Sequence, residues 1–210
     1  MKDSLVAVSV GTTTSTDDLT NVRCIVDRGT AGRRYKVALI STGGTVAKTY
    51  DCRTGGLSIS VDILSEIVGT LRMDDADVQI QELVHKDSLD IDEVDRNLIV
   101  EAVQTALPES DTVIVSHGTD TLTVTAEAVY AAVGEPTVPI IFTGAMVPHV
   151  VRGSDSCQNL TEAFFAARLL APGVYVVAHN RVLPIPGVVK DFEAMTFVST
   201  IRSGDLDGDE

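Results

Sequence analysis

At 210 residues, 44% of them hydrophobic, the chain can bury one substantial core and is too short for two full domains. Its formal charge of −14, from 16 basic and 30 acidic residues, opposes nucleic-acid backbones and anionic membrane surfaces. Cys24, Cys52 and Cys157 are odd in number, widely spaced and without a CxxC pair, which suits free thiols in a reducing compartment. With no signal-like apolar start and no apolar run of bilayer length, a cytoplasmic protein without membrane or nucleic-acid partners is expected.

Residues 1–35 read as an N-terminal extension: a polar tract spans 11–18, and only 5–10 and 23–26 resemble short strands. From residue 36 the chain alternates strand-like and helix-like stretches. Aliphatic runs at 37–40, 77–84, 112–116, 138–142 and 173–178 predict strands, and apolar residues at helical spacing predict helices over 60–70, 91–106, 121–133 and 159–170. The order βαβαβαβαβ predicts an α/β domain with a doubly wound, mostly parallel sheet over residues 36–203. Asp90 followed by Glu93 predicts a capping box for the second helix. Residues 204–210 are acidic and read as a tail or linker.

Two strings carry chemistry. Ser41-Thr42-Gly43-Gly44-Thr45 follows the first strand, and His117-Gly118-Thr119-Asp120-Thr121 follows the third, so both leave strand ends where open α/β sheets place ligands. A threonine hydroxyl attacks a carbonyl only with help from a base, and Thr45 and Thr119 could meet across the crevice, one attacking and the other relaying a proton. Lys190, read as following the last regular strand, is the candidate base, and Asp120 could orient it or hold a substrate ammonium. Each residue also has a structural reading. Thr119 and Asp120 suit a helix N-cap, Gly43 and Gly44 suit a tight turn at positive φ, Lys190 suits a solvated surface, and His117 suits a buried, satisfied histidine. A dinucleotide site is disfavoured, because the turn lacks G-x-G-x-x-G.

Residues 40–47 and 115–121, with Phe142-Thr143-Gly144-Ala145-Met146 and Ser154-Asp155 in the same order, resemble the signature segments of the bacterial-type L-asparaginase/glutaminase family over about 36–205. The resemblance implies that family's N-terminal-domain fold, flavodoxin- or Rossmann-like in three layers, and hydrolysis of a small amino-acid amide with release of ammonia. It implies Thr45 as nucleophile, Thr119, Asp120 and Lys190 as a second triad, and a substrate pocket of Gly44, Ser88, Gly118 and Ala145. No metal or cofactor is expected. At least a homodimer is, because family sites are completed by a neighbouring subunit.

The departures are specific. Cys52 stands where the family's activating tyrosine is expected, leaving Tyr50 as the candidate substitute; Leu89 replaces a polar residue beside Ser88, and Val147 replaces an arginine. The chain stops where the family's smaller C-terminal domain would begin, so a single-domain or truncated form is expected. The alternatives to an amidohydrolase are a non-catalytic binding or scaffold protein that keeps the pocket and an acyl-transfer enzyme acting on a larger substrate.

Overall fold

The computed structural model describes residues 33–201, so the readings at 1–32 and 202–210 lie outside the described residues. Among the described residues, six strands form the central sheet: β1 (Tyr35–Gly43), β4 (Ala76–Lys86), β5 (Thr112–Ser116), β6 (Pro139–Thr143), β7 (Gly173–Ala178) and β8 (Arg181–Pro184). Across the sheet they lie in the order β4-β1-β5-β6-β7-β8. The first five in that order run parallel, and β8 turns back antiparallel to β7.

Side-chain alternation divides the core into two layers. On β1, Val37 and Leu39 face helices α1 (Ile63–Thr70) and α4 (Ser156–Ala167), while Ile40 faces α2 (Glu93–Ala106) and α3 (Leu122–Val133). Strand β5 splits alike, Ile114 toward the first pair and Val113 and Val115 toward the second, and so does β6 with Ile141 against Ile140 and Phe142. Strands β5 and β6 are wholly buried, which is why their centres, 113–115 and 140–142, read as continuous apolar runs. Full burial of a side chain such as Ile99 or Val103 contributes about 1.5–3 kcal/mol.

The expected helices and central strands form, with shifted ends. Helix α1 begins at Ile63 rather than 60, and α4 lies at 156–167 rather than 159–170. The capping box is at Asp92 and Asp95, not Asp90 and Glu93: Asp90 closes a 3₁₀ turn with Ser88 and Leu89, and Asp92 is the extended residue that can cap. The Asp92 carboxylate accepts from Asp95 N at 3.0 Å, and the Asp95 carboxylate accepts from Asp92 N at 3.0 Å. Lys86 donates to Asp95 at 2.6 Å, and this hydrogen bond holds the Asp95 carboxyl below its ordinary range.

Among the described residues, five strands go beyond those the sequence predicts. Two form a hairpin, β2 (Lys48–Asp51) with β3 (Gly56–Ile59); β8 extends the sheet; and β9 (Val188–Asp191) pairs with β10 (Thr196–Ser199). Each is only four residues long, too short for a periodic signal. Lys190 therefore lies inside a strand, β9, rather than after the last one. The chain leaves β1 for β4 on one side, then reaches β5 on the other. That reversal is the topological switch point, and it opens a crevice at the carboxyl ends of β1 and β5.

Candidate active site

Both signature strings leave that crevice, and glycines let them touch. Gly44 has φ +70, a left-handed conformation costly for other residues, and a Cβ there would stand 2.4 Å from Gly118 N and 2.5 Å from Gly118 Cα. A Cβ on Gly118 would in turn stand 2.5 Å from Ser88 Cβ. Gly44, Gly118 and Ser88 thus form a stack of direct contacts, with Thr45 and Thr119 one residue beyond the first two. The positive-φ turn expected of the paired glycines is present, and the close backbone approach adds to it.

Hydrogen bonds lock this stack. Gly44 N donates to Lys86 O at 3.0 Å, Thr42 Oγ1 donates to Ser116 O at 3.1 Å, and Thr121 Oγ1 donates to Ser88 O at 2.6 Å. Ser88 is buried in its 3₁₀ turn. Asp87 beside it pairs with Lys48, whose hydrogen bond holds the Asp87 carboxyl below its usual range. Gly144 packs behind the second string, since a Cβ there would meet His117 O at 2.2 Å; Ala145 after it is 1% exposed.

Thr119 and Asp120 do not cap a helix. Helix α3 starts at Leu122, its N-cap Thr121 makes no side-chain cap bond, and the two preceding side chains turn to Lys190 instead. Lys190 Nζ donates to Thr119 Oγ1 at 2.8 Å and to Asp120 Oδ1 at 2.6 Å. Its side chain is 7% exposed, which overturns the solvated-surface reading. His117, at the head of the same string, is the satisfied histidine: Nδ1 donates to Gly118 O at 2.9 Å, and Nε2 accepts from Thr125 Oγ1 at 2.9 Å. Burial pushes its pKa down to about 4, leaving it neutral and structural.

Thr45 is half-buried at the start of a single 3₁₀ turn, and no side-chain hydrogen bond engages it among the described residues. Tyr50 is not brought to it. That tyrosine lies on β2 opposite Leu57, is 67% exposed and makes no side-chain hydrogen bond among the described residues. Cys52 is exposed in the turn of the same hairpin. Among the described residues, no three His, Cys, Asp or Glu side chains gather to hold a metal, and no helix is long and apolar enough to cross a membrane.

Residues that sequence reasoning missed hold the lysine strand in place. Glu127 of α3 accepts from Gly187 N at 2.8 Å, and Thr200 donates to Gly187 O through its backbone N at 2.8 Å and its Oγ1 at 2.9 Å. Gly187 immediately precedes β9, so these bonds fix the strand carrying Lys190. Asp155 accepts from Met146 N, Val147 N, Asn159 Nδ2 and His179 Nε2, all within 3.0 Å. Burial works to raise its carboxyl, and the backbone donors, with His179, bring it net below the ordinary range. His179 Nδ1 also lies 2.9 Å from Thr196 Oγ1, tying the loop after β6 to β10. Asp155 had a local signal, its place after Ser154, whereas Glu127 lies 60 positions from Gly187 and His179 lies 24 from Asp155.

A family model for the asparaginase N-terminal domain matches residues 36–198. An L-asparaginase of Thermococcus kodakarensis is 32% identical over 148 residues, 70% of this chain and 45% of that protein. One component of the glutamyl-tRNA(Gln) amidotransferase of Methanosarcina acetivorans is 34% identical over 153 residues, 69% of this chain and 34% of that protein. The solved thermostable L-asparaginase of T. kodakarensis superposes with a TM-score of 0.71 at 31% identity, covering 78% of this chain and 51% of that one. A probable cytoplasmic L-asparaginase of Campylobacter jejuni gives 0.66 at 27% identity, with 79% and 52% covered. The chain spans about half the length of these asparaginases and a third of the amidotransferase component.

Proposed function

The chain belongs to the asparaginase family through its N-terminal domain, and from that membership we propose that it is an amidohydrolase using Thr45 as nucleophile on a small amino-acid amide. The observation that carries this reading is the Lys190 ammonium, withdrawn from solvent and bonded to Thr119 and Asp120 beside the turn that presents Thr45. Thr45 Oγ1 attacks the amide carbonyl, the C–N bond breaks, and ammonia leaves with the proton delivered to it. Water then cleaves the Thr45 ester, releasing the carboxylate and restoring the hydroxyl. Lys190, deprotonated for this step, takes the Thr45 proton by way of Thr119 and gives it to the leaving nitrogen, and Asp120 orients the lysine. The backbone around Gly44 and Gly118, with Ser88 and Ala145, forms the floor on which the substrate rests. Tyr50 has no part in this machinery.

A second reading is favoured by the amidotransferase relatives: ammonia freed at the same site would be transferred to another acceptor rather than released to solvent. Both readings carry the expectation of a cytoplasmic homo-oligomer with a small-molecule amide as partner. Ammonia release from asparagine and from glutamine by the purified chain tests the shared first step. Release from either supports that shared step, and binding of aspartate without release from any amide favours the non-catalytic alternative.

A further inference from the structure

Phe192 belongs to neither signature string, yet it stands over the lysine at the centre of the site. Lys190 Nζ carries three N–H donors and uses two on Thr119 and Asp120; no third oxygen acceptor faces it among the described residues. The Phe192 ring centroid lies 4.9 Å from Nζ. The ammonium side chain is 7% exposed while Phe192 is 65% exposed, so the ring forms a wall with Lys190 behind it and solvent in front.

The backbone holds that wall in place. Phe192 comes two residues after Lys190, in the turn just past the end of β9, and its ring folds back over Lys190 Nζ. Asp191 Oδ1 accepts from Glu193 N and Ala194 N, both at 2.9 Å, which fixes the turn in which Phe192 sits. An aromatic face attracts a cation, and does so more strongly where water is kept away.

We propose that Phe192 is a positioning residue for Lys190. Its ring holds the ammonium against Thr119 and Asp120 and covers the third N–H that no oxygen accepts. The kinetic consequence rests on the amidase reading above; the placement of the lysine does not.

The test compares the full wild-type chain with Phe192→Ala, Phe192→Leu and Phe192→Trp. Its first readout is acylation of Lys190 by acetic anhydride, followed by peptide mass spectrometry with the exposed Lys36 as internal reference. Alanine and leucine variants should acylate Lys190 about tenfold faster than wild type, and tryptophan should not. The second readout is steady-state ammonia release: kcat should fall about tenfold in the alanine and leucine variants with KM unchanged, and tryptophan should restore it. Wild-type labelling and kcat in Phe192→Ala would overturn the proposal, as would full rescue by leucine, which supplies bulk without a π face. Absence of ammonia release by wild type would count against the amidase reading alone, because the labelling still decides where Phe192 holds the lysine.

Discussion

Gly44 and Gly118 meet backbone to backbone, so close that a single methyl on the first would stand 2.4 Å from the amide nitrogen of the second. This contact joins the two strings that supply Thr45 and Thr119, and it binds site geometry to backbone conformation. Gly44→Ala should therefore lower both ammonia release and stability, by more than the roughly 1–2 kcal/mol of a left-handed residue alone. Gly69→Ala is the control: it lies in α1 with open space where a Cβ would go and should stabilise by about 0.5–1 kcal/mol. Thermal unfolding of the two variants checks the contrast.

Thr45→Ala and Lys190→Met should each cut kcat by at least about a hundredfold while circular dichroism stays native. Thr45 packs no core, and methionine keeps the apolar stem of the buried lysine. Near-normal turnover in either variant would sink the assignment. Thr119→Ala should follow Lys190→Met without loss of helix α3, because Thr119 does not cap that helix.

Stability should fall with acid through His117. The unfolded chain takes up this proton near 6.5, the folded chain only near 4, so the unfolded state binds more protons in between. The contribution of the neutral histidine is whole above about 6.5, is lost progressively as pH falls toward 4, and amounts to on the order of 3 kcal/mol. Urea midpoints measured between about pH 4 and pH 7 should show this slope, and His117→Gln should flatten it.

Much of the fold is legible in the sequence because the core is periodic. The aliphatic runs predict strands β5 and β7 at their observed ends, and β5 is buried throughout because helices cover both of its faces. The site is legible only in part. Thr45, Ser88, Thr119 and Asp120 lie in compact strings, but Lys190 reaches Thr119 across 71 positions, and its strand is held by Glu127 through a bond spanning 60. No local pattern records such pairings. The capping box lies two residues beyond its expected place because an aspartate at Asp95 fills the position usually given to glutamate.

Tyr50→Phe should leave ammonia release within about twofold of wild type, since the phenol is exposed on β2 and engages no described residue. A loss of about tenfold would bring Tyr50 into the machinery and require the β2–β3 hairpin to close over Thr45.

Exposed apolar side chains stand beside the site, Leu89 next to Ser88 and Phe192 with Met195 on the β9–β10 hairpin. Covering them favours association, and light scattering should report at least a dimer. A monomer at every working concentration would remove that expectation.

The most direct measurement is acid-quenched peptide mass spectrometry of the full chain during turnover of asparagine or glutamine. An aspartyl or glutamyl ester on the peptide carrying Thr45, absent in Thr45→Ala, is the predicted result. Ammonia released by Thr45→Ala at the wild-type rate, with no ester on Thr45 in the wild-type chain, would contradict it.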